Sequence, residues 1–81
     1  MDVLYFAWLR ERIGEPKEHI DTDAATVADL IEVLKTRSDA HALAFADTTA
    51  LRAAVDQELV PFDTSIRNAR EVAFFPPMTG G

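Results

Sequence analysis

The feature that most constrains the fold of this chain is an apolar run near its beginning, from Val3 to Trp8. The length of the run and its β-branched and aromatic residues favour a strand over a helix. Side chains alternate between the two faces of a strand, and here both faces are apolar. The two sets are Val3, Tyr5 and Ala7 on one face, and Leu4, Phe6 and Trp8 on the other. Because a sheet with one face in water usually alternates apolar and polar residues, we expect the second face to be covered by the chain itself or by a partner.

One amphipathic helix is predicted in the middle of the chain, beginning after Thr26. Threonine is a favourable N-cap residue, and Asp29 lies three positions later, as in a capping box with Asp in place of Glu. The apolar residues that follow have the spacing of one buried helical face: Val27, Leu30, Ile31 and Leu34. Lys35 and Arg37 place positive charge where a helix C-terminus favours it, and Ser38-Asp39 is predicted to end the helix.

The other apolar segments predict four further strands. They cover residues 17–21, 51–55, 59–62 and 71–75. The first of these is polar, so we expect it at a sheet edge. The third contains Pro61, which cannot donate to a sheet, so we expect it to be short or at an edge. Asp56-Gln57-Glu58 is predicted to form a tight turn, and Leu9 to Ile13 a helical turn that ends at Gly14.

The order of these elements predicts the fold class. A strand pair, a helix and three more strands indicate an α+β fold, in which one main helix packs across one face of a sheet. Residues 40–47 are expected to form a short helical turn or an irregular segment, with Leu43 and Phe45 reaching the core. The length of 81 residues supports one domain, residues 1–81, of which residues 76–81 form an extended C-terminal tail.

Composition and charge exclude several classes of protein. The chain has no cysteine, which rules out disulfides, cysteine-ligated zinc and a thiol nucleophile. It has no basic, apolar signal segment and no apolar run near the ~18 residues of a membrane helix, so we expect a cytoplasmic protein that does not bind membranes. The net charge is −6, and the Lys and Arg residues are scattered, mostly beside acids, which disfavours nucleic acid as a partner. A partner with a basic face is compatible with this charge, as is ordinary solubility.

The sequence shows no self-contained active site. His19 and His41 lie far apart and outside any metal-ligand motif, so we expect both to be solvated or structural. The three glycines do not form a phosphate-binding loop, and neither Ser38 nor Ser65 lies in a hydrolase nucleophile motif. We therefore expect no autonomous enzyme, no metal site and no cofactor bound by this chain.

The C-terminal end combines a stiff exit with an unhindered terminus. Pro76-Pro77 stops the last predicted strand and favours an extended conformation. Gly80-Gly81 carry no Cβ atoms, so they can enter a narrow channel. Such an end suits presentation of the terminal carboxyl group to the catalytic site of another protein. A Gly-Gly end by itself is equally compatible with an inert, frayed terminus.

The residues before this end carry a resemblance to a known family. Residues 74–81, Phe-Phe-Pro-Pro-Met-Thr-Gly-Gly, and the preceding Glu71-Val72-Ala73 resemble the C-terminal signature of the small subunits of molybdopterin synthase. Residues 3–7 with Arg10-Glu11, and the stretches 53–57 and 59–60, also resemble this family, so the resemblance covers nearly the whole chain. Two positions depart from it: Asp56 stands where Asn is expected, and Met78 where Val is common.

The resemblance implies a ubiquitin-like β-grasp fold with a mixed sheet, and a sulfur carrier in molybdenum cofactor biosynthesis. It implies that an activating enzyme uses ATP and magnesium to adenylate the carboxyl group of Gly81, which sulfur from a desulfurase-type donor then converts to a thiocarboxylate. Met78, Thr79 and Gly80 would enter the large synthase subunit together with Gly81. There the sulfur would be transferred to cyclic pyranopterin monophosphate. The implied assembly is a heterotetramer of two small and two large subunits.

The resemblance also implies which apolar residues contact partners. Phe6, Leu59 and Phe75 match the docking positions of the family, although all three could instead be core residues. Three other functions stay open: a sulfur carrier for thiazole or tRNA thiolation, a ubiquitin-like modifier that forms isopeptide bonds through Gly81, and an interaction domain with an inert tail. The Phe-Phe-Pro-Pro run disfavours the first of these.

Overall fold

Five strands and three helices make up the part of the chain that the computed structural model describes, residues 1–77. The strands are β1 (Asp2–Tyr5), β2 (Lys17–His19), β3 (Arg52–Val55), β4 (Glu58–Val60) and β5 (Glu71–Phe75). The helices are α1 (Trp8–Ile13), α2 (Val27–Lys35) and α3 (Asp39–Ala44), and a 3₁₀ turn covers Thr48–Ala50. The predicted tail residues Met78, Thr79, Gly80 and Gly81 lie outside the described residues.

The last strand lies at the centre of one mixed sheet. The strand order is β2-β1-β5-β3-β4, with β5 parallel to β1 and antiparallel to β3. On either side, β1 pairs antiparallel with β2 and β3 antiparallel with β4. The two predicted edge strands are confirmed at the edges, and β4 ends at Val60, before Pro61.

The core lies between one face of the sheet and α2, as the α+β prediction requires. The predicted apolar helix residues are all buried, and the Thr26 Oγ1 accepts a hydrogen bond from the Asp29 backbone N–H at 3.2 Å. The inner face of the sheet contributes Val3, Tyr5, Ala53, Val72 and Phe74, each at most 1% exposed. This architecture is the ubiquitin-like β-grasp. No helix within residues 1–77 combines the length and the apolar character that a membrane crossing needs.

The first predicted strand is too long at its C-terminal end. β1 stops at Tyr5, and Ala7 has a φ of 55°, in the left-handed region, immediately before α1 begins at Trp8. The prediction that Ala7 shares a face with Val3 is therefore wrong. Apolar residues alone do not mark the point where a chain leaves a strand and turns into a helix. The predicted end of α1 at Gly14 is confirmed, since Gly14 has a φ of 90°.

In the segment after α2, the helical alternative is confirmed by α3, and one of the two predicted core residues, Leu43, is wrong. Ser38-Asp39 begins α3 instead of only ending α2, because the Ser38 Oγ accepts a hydrogen bond from the His41 backbone N–H. Phe45 is fully buried as expected, whereas Leu43 is 67% exposed. Helical periodicity turns His41 and Phe45 towards the core and leaves Leu43 on the outside.

Candidate functional site

The face of the sheet opposite α2, which we call the outer face, is apolar across four strands. Residue pairs in register carry one row of apolar side chains across it: Leu4 on β1, Ala73 on β5, Ala54 on β3 and Leu59 on β4. The helices do not cover this row, because their buried residues all pack on the inner face. We predicted that the second face of the first strand is covered either by the chain itself or by a partner. Since the described helices leave this face open, a partner is the candidate that remains.

Strand alternation along β5 separates its two phenylalanines. Phe74 points inward, is fully buried, and lies edge-on to Phe45 with ring centroids 5.1 Å apart. Phe75 points outward and is only partly buried. Adjacent residues of one strand therefore serve the core and the outer face separately, as alternation predicts.

The three predicted docking residues all lie on the outer face, and none of them belongs to the core. Phe6 is 45% exposed and Leu59 is 66% exposed, so neither is enclosed in the core. Phe6 follows β1 directly, and its backbone N–H donates to the Phe74 carbonyl at 3.1 Å. The structure thus excludes the core alternative, while contact with a partner stays a prediction.

A groove of about 650 Å³ runs over this face. The residues that line it are Leu4, Phe6, Ala7, Ala54, Gln57, Glu71, Ala73, Phe75 and Pro76. Two of them, Ala54 and Ala73, pair in register and form a low floor between the larger side chains. The sequence analysis did not identify these alanines as site residues. The available signal was their small size, because alanine is uncommon in strands and two alanines in paired strands indicate a depression in the surface of the sheet.

The groove leads to the point where the tail begins. Pro76 follows Phe75 at the end of the central strand and lines the groove itself. Any protein bound on the outer face is therefore adjacent to the start of the tail. The residues predicted to carry the chemistry, Gly80 and Gly81, and those predicted to insert with them, Met78 and Thr79, lie outside the described residues.

The buried polar groups of the described chain are structural. His41 is buried, with its Nε2 at 2.6 Å from the Glu18 carboxylate and its Nδ1 at 2.7 Å from the Ser38 Oγ. Burial by itself would raise the pKa of Glu18, but the hydrogen bond with His41 and the charge of Arg37 outweigh it and hold this pKa below its usual value. This cluster ties β2 to α3.

Two further titratable side chains of the described residues are His19 and Tyr5. His19 is exposed between Asp2 and Asp21. Burial, followed by the nearby charge of Glu18, raises the pKa of the Tyr5 hydroxyl, which therefore stays protonated. Within residues 1–77, no group of three or more His, Asp or Glu side chains is placed to hold a metal ion.

Comparison with known proteins gives consistent matches along the whole chain. The model of the ThiS family matches residues 3–81. The molybdopterin synthase sulfur carrier subunit of Escherichia coli (strain K12) is 46% identical over 79 residues, which cover 98% of this chain and 96% of that protein. The molybdopterin synthase sulfur carrier subunit of Haemophilus influenzae is 40% identical, covering 100% of this chain and 99% of that protein.

Solved structures agree with these matches. SAMP1 from Haloferax volcanii superposes with a TM-score of 0.75 at 26% identity and covers 100% of this chain and 98% of its own. A putative molybdopterin converting factor, subunit 1, from Pyrococcus furiosus superposes with a TM-score of 0.74 at 30% identity, covering 95% of each chain. The similarity thus extends to both sequence and fold.

Proposed function

The chain belongs to the ThiS family as a sulfur carrier subunit of the molybdopterin synthase type, and from this premise we propose that Gly81 is the residue that carries the sulfur. The observation that carries the proposal is the near full-length identity with two such subunits, since the match to the family extends to residue 81. The central position of β5 supports it, because the sheet delivers the chain to Pro76 at the edge of an apolar groove.

The carboxyl group of Gly81 needs activation before it can accept sulfur. A terminal carboxyl group has a pKa of about 3.3–3.7, so near neutral pH it is an anion without a leaving group. Adenylation by an activating enzyme, which consumes ATP with magnesium, makes AMP the leaving group. The terminal sulfur of a persulfide on a desulfurase-type donor then displaces AMP and forms an acyl disulfide. A thiol cleaves the S–S bond of this intermediate by exchange and releases a thiocarboxylate, whose sulfur is more nucleophilic than a carboxylate oxygen.

We propose that docking on the outer face brings the loaded tail to its acceptor. As the small subunit of a synthase, the chain has a large subunit as its partner. In our proposal the large subunit contacts Phe6, Leu59 and Phe75, and residues 78–81 extend into its active site. Two successive transfers to cyclic pyranopterin monophosphate would build the dithiolene of molybdopterin, in a heterotetramer of two small and two large subunits.

Intact mass measurement tests the loading step. The protein is incubated with ATP, magnesium, a sulfur donor and its activating enzyme, and we expect the mass increase of one oxygen replaced by one sulfur. The control is the chain that lacks only Gly81, which should fold normally but gain no sulfur. Adducts linked to lysine would support a ubiquitin-like modifier instead, and an unchanged mass with the active enzyme system would contradict the carrier chemistry.

A second assay tests the acceptor. The sulfur-loaded chain is combined with a large synthase subunit and the pterin precursor, and dithiolene formation is followed. Product formation is expected from the loaded full-length chain and not from the chain without Gly81. Product from the shortened chain would refute a role for Gly81.

A further inference from the structure

Glu71 is the one charged side chain among the residues that line the groove within the described part of the chain. It begins β5, the central strand, and shares the outer face with Ala73 and Phe75. Its side chain is partly buried. A carboxylate at one end of an otherwise apolar groove loses its hydration when a partner covers the groove, and this loss is costly unless the partner pairs the charge.

The free chain does not compensate this charge. Asp2 lies directly beside Glu71 in the register of β1 and β5, and like charges in register destabilise a sheet. The carboxylate of Asp2 is itself engaged, with His19 at 3.2 Å and Lys17 at 3.9 Å. Glu71 forms no ion pair with any residue of the described chain, including the neighbouring Arg70.

We propose that Glu71 pairs with a lysine or arginine of the large synthase subunit when that subunit docks on the outer face. This inference rests on the proposed function. The occupant of the groove must present an apolar surface to Leu4, Phe6 and Phe75 and a cation to Glu71. Docking removes water from the groove, which strengthens an attraction between opposite charges and penalises a partner that leaves the carboxylate unpaired. Glu71 therefore acts as a specificity residue against apolar surfaces that lack the cation.

The position of Glu71 would also determine the orientation in which the large subunit docks. Glu71 and Phe75 are four residues apart on one strand, which corresponds to about 13 Å. The apolar contacts gather near the tail exit, while the charge pair lies at the far end of the groove. Two different contacts at the two ends allow one orientation of the partner, and that orientation fixes where the tail enters it.

Substitution of Glu71 by glutamine tests the proposal, because E71Q removes the charge and keeps the size. The matched control is E32Q, which makes the same change on α2, at the opposite side of the sheet. Each variant is titrated with the large synthase subunit by calorimetry at low and at raised salt. We expect E71Q to bind on the order of tenfold more weakly at low salt, with a smaller salt dependence, and E32Q to bind like the parent chain.

The outcomes separate this inference from the proposed function. If E71Q binds as tightly as the parent while Phe75→Ala binds weakly, the large subunit docks on the outer face but no cation faces Glu71, and the inference is refuted alone. If the parent chain does not bind the large subunit at all, the proposed function itself fails. E71Q should also melt no lower than the parent, because it relieves the repulsion with Asp2. A lower melting temperature would indicate a partner within the chain and would overturn the argument.

Discussion

Truncation of the two adjacent phenylalanines of β5 should separate stability from binding. Phe74 is fully buried against Phe45, and truncation of such a side chain to alanine costs about 3–5 kcal/mol. Phe75 faces the groove and is already partly exposed, so Phe75→Ala should cost about 1 kcal/mol or less. For a chain of 81 residues, total stability is about 4–12 kcal/mol. Phe74→Ala therefore removes a large part of it.

Thermal melts followed by circular dichroism, combined with titration of the large synthase subunit, give both quantities for each variant. A domain of this size loses about 4–8 °C per kcal/mol, so Phe74→Ala should lower the Tm by roughly 12 °C or more. Phe75→Ala should shift the Tm by about 8 °C at most. In the binding assay, Phe75→Ala should weaken affinity by at least about tenfold, as expected for an aromatic anchor at an interface.

Two results would refute this reasoning. An equal loss of Tm in both variants would mean that Phe75 contributes to the core as Phe74 does. A stable Phe75→Ala variant that binds the large subunit with unchanged affinity would mean that the outer face is not the docking face.

Two further perturbations test the fold around the site. The lowered pKa of Glu18 means that its stabilisation is present above its usual value near 4.5 and is lost as the pH falls through the folded value. Glu18→Gln should therefore lower the free energy of unfolding by about 1.5–3 kcal/mol at pH 7. In thermal melts, the Tm of this variant should fall less steeply between pH 5 and pH 3 than the Tm of the parent. Equal pH profiles would contradict the role of the Glu18–His41 pair. In the β3–β4 turn, Asp56 has a φ of 48° and its Oδ1 accepts hydrogen bonds from the backbone N–H groups of Arg70 and Glu71. In denaturant unfolding, Asp56→Ala should lower the free energy of unfolding by about 2 kcal/mol. Asp56→Asn should change it little, because the amide oxygen accepts the same hydrogen bonds. An equal loss of stability in both variants would mean that the charge of Asp56 matters.

Much of the fold could be predicted because local signals and burial agree. β5 was predicted at its observed bounds, and α2 follows from one apolar stripe and the Thr26 cap. The turn before β4 was also predicted, although the left-handed φ values of Asp56 and Gln57 were not. Where alternation, capping and turn residues support the same element, the sequence is sufficient.

The errors occur where an apolar residue has two possible environments. Leu43 was assigned to the core because it is large and apolar, and the helix that exposes it lies in a segment with weak periodicity. Trp8 was assigned to a strand, whereas the left-handed backbone at Ala7 starts α1 at that residue. The shape of the groove was not predictable either, since it depends on Ala54 and Ala73 being brought side by side from distant parts of the chain.

The central position of β5 has a consequence for how the protein is made. Without residues 71–75, the sheet is reduced to two separate antiparallel strand pairs, β1–β2 and β3–β4, and an isolated two-stranded pair is marginally stable at best in water. During synthesis the sheet cannot close until β5 has left the ribosome, so the strand next to the tail is the last to join the fold. A chain that ends before residue 71 lacks β5 and, with it, the outer face on which we propose that the large subunit docks. Folding thus keeps chains that end before β5 from occupying the large subunit, because such chains cannot close the sheet.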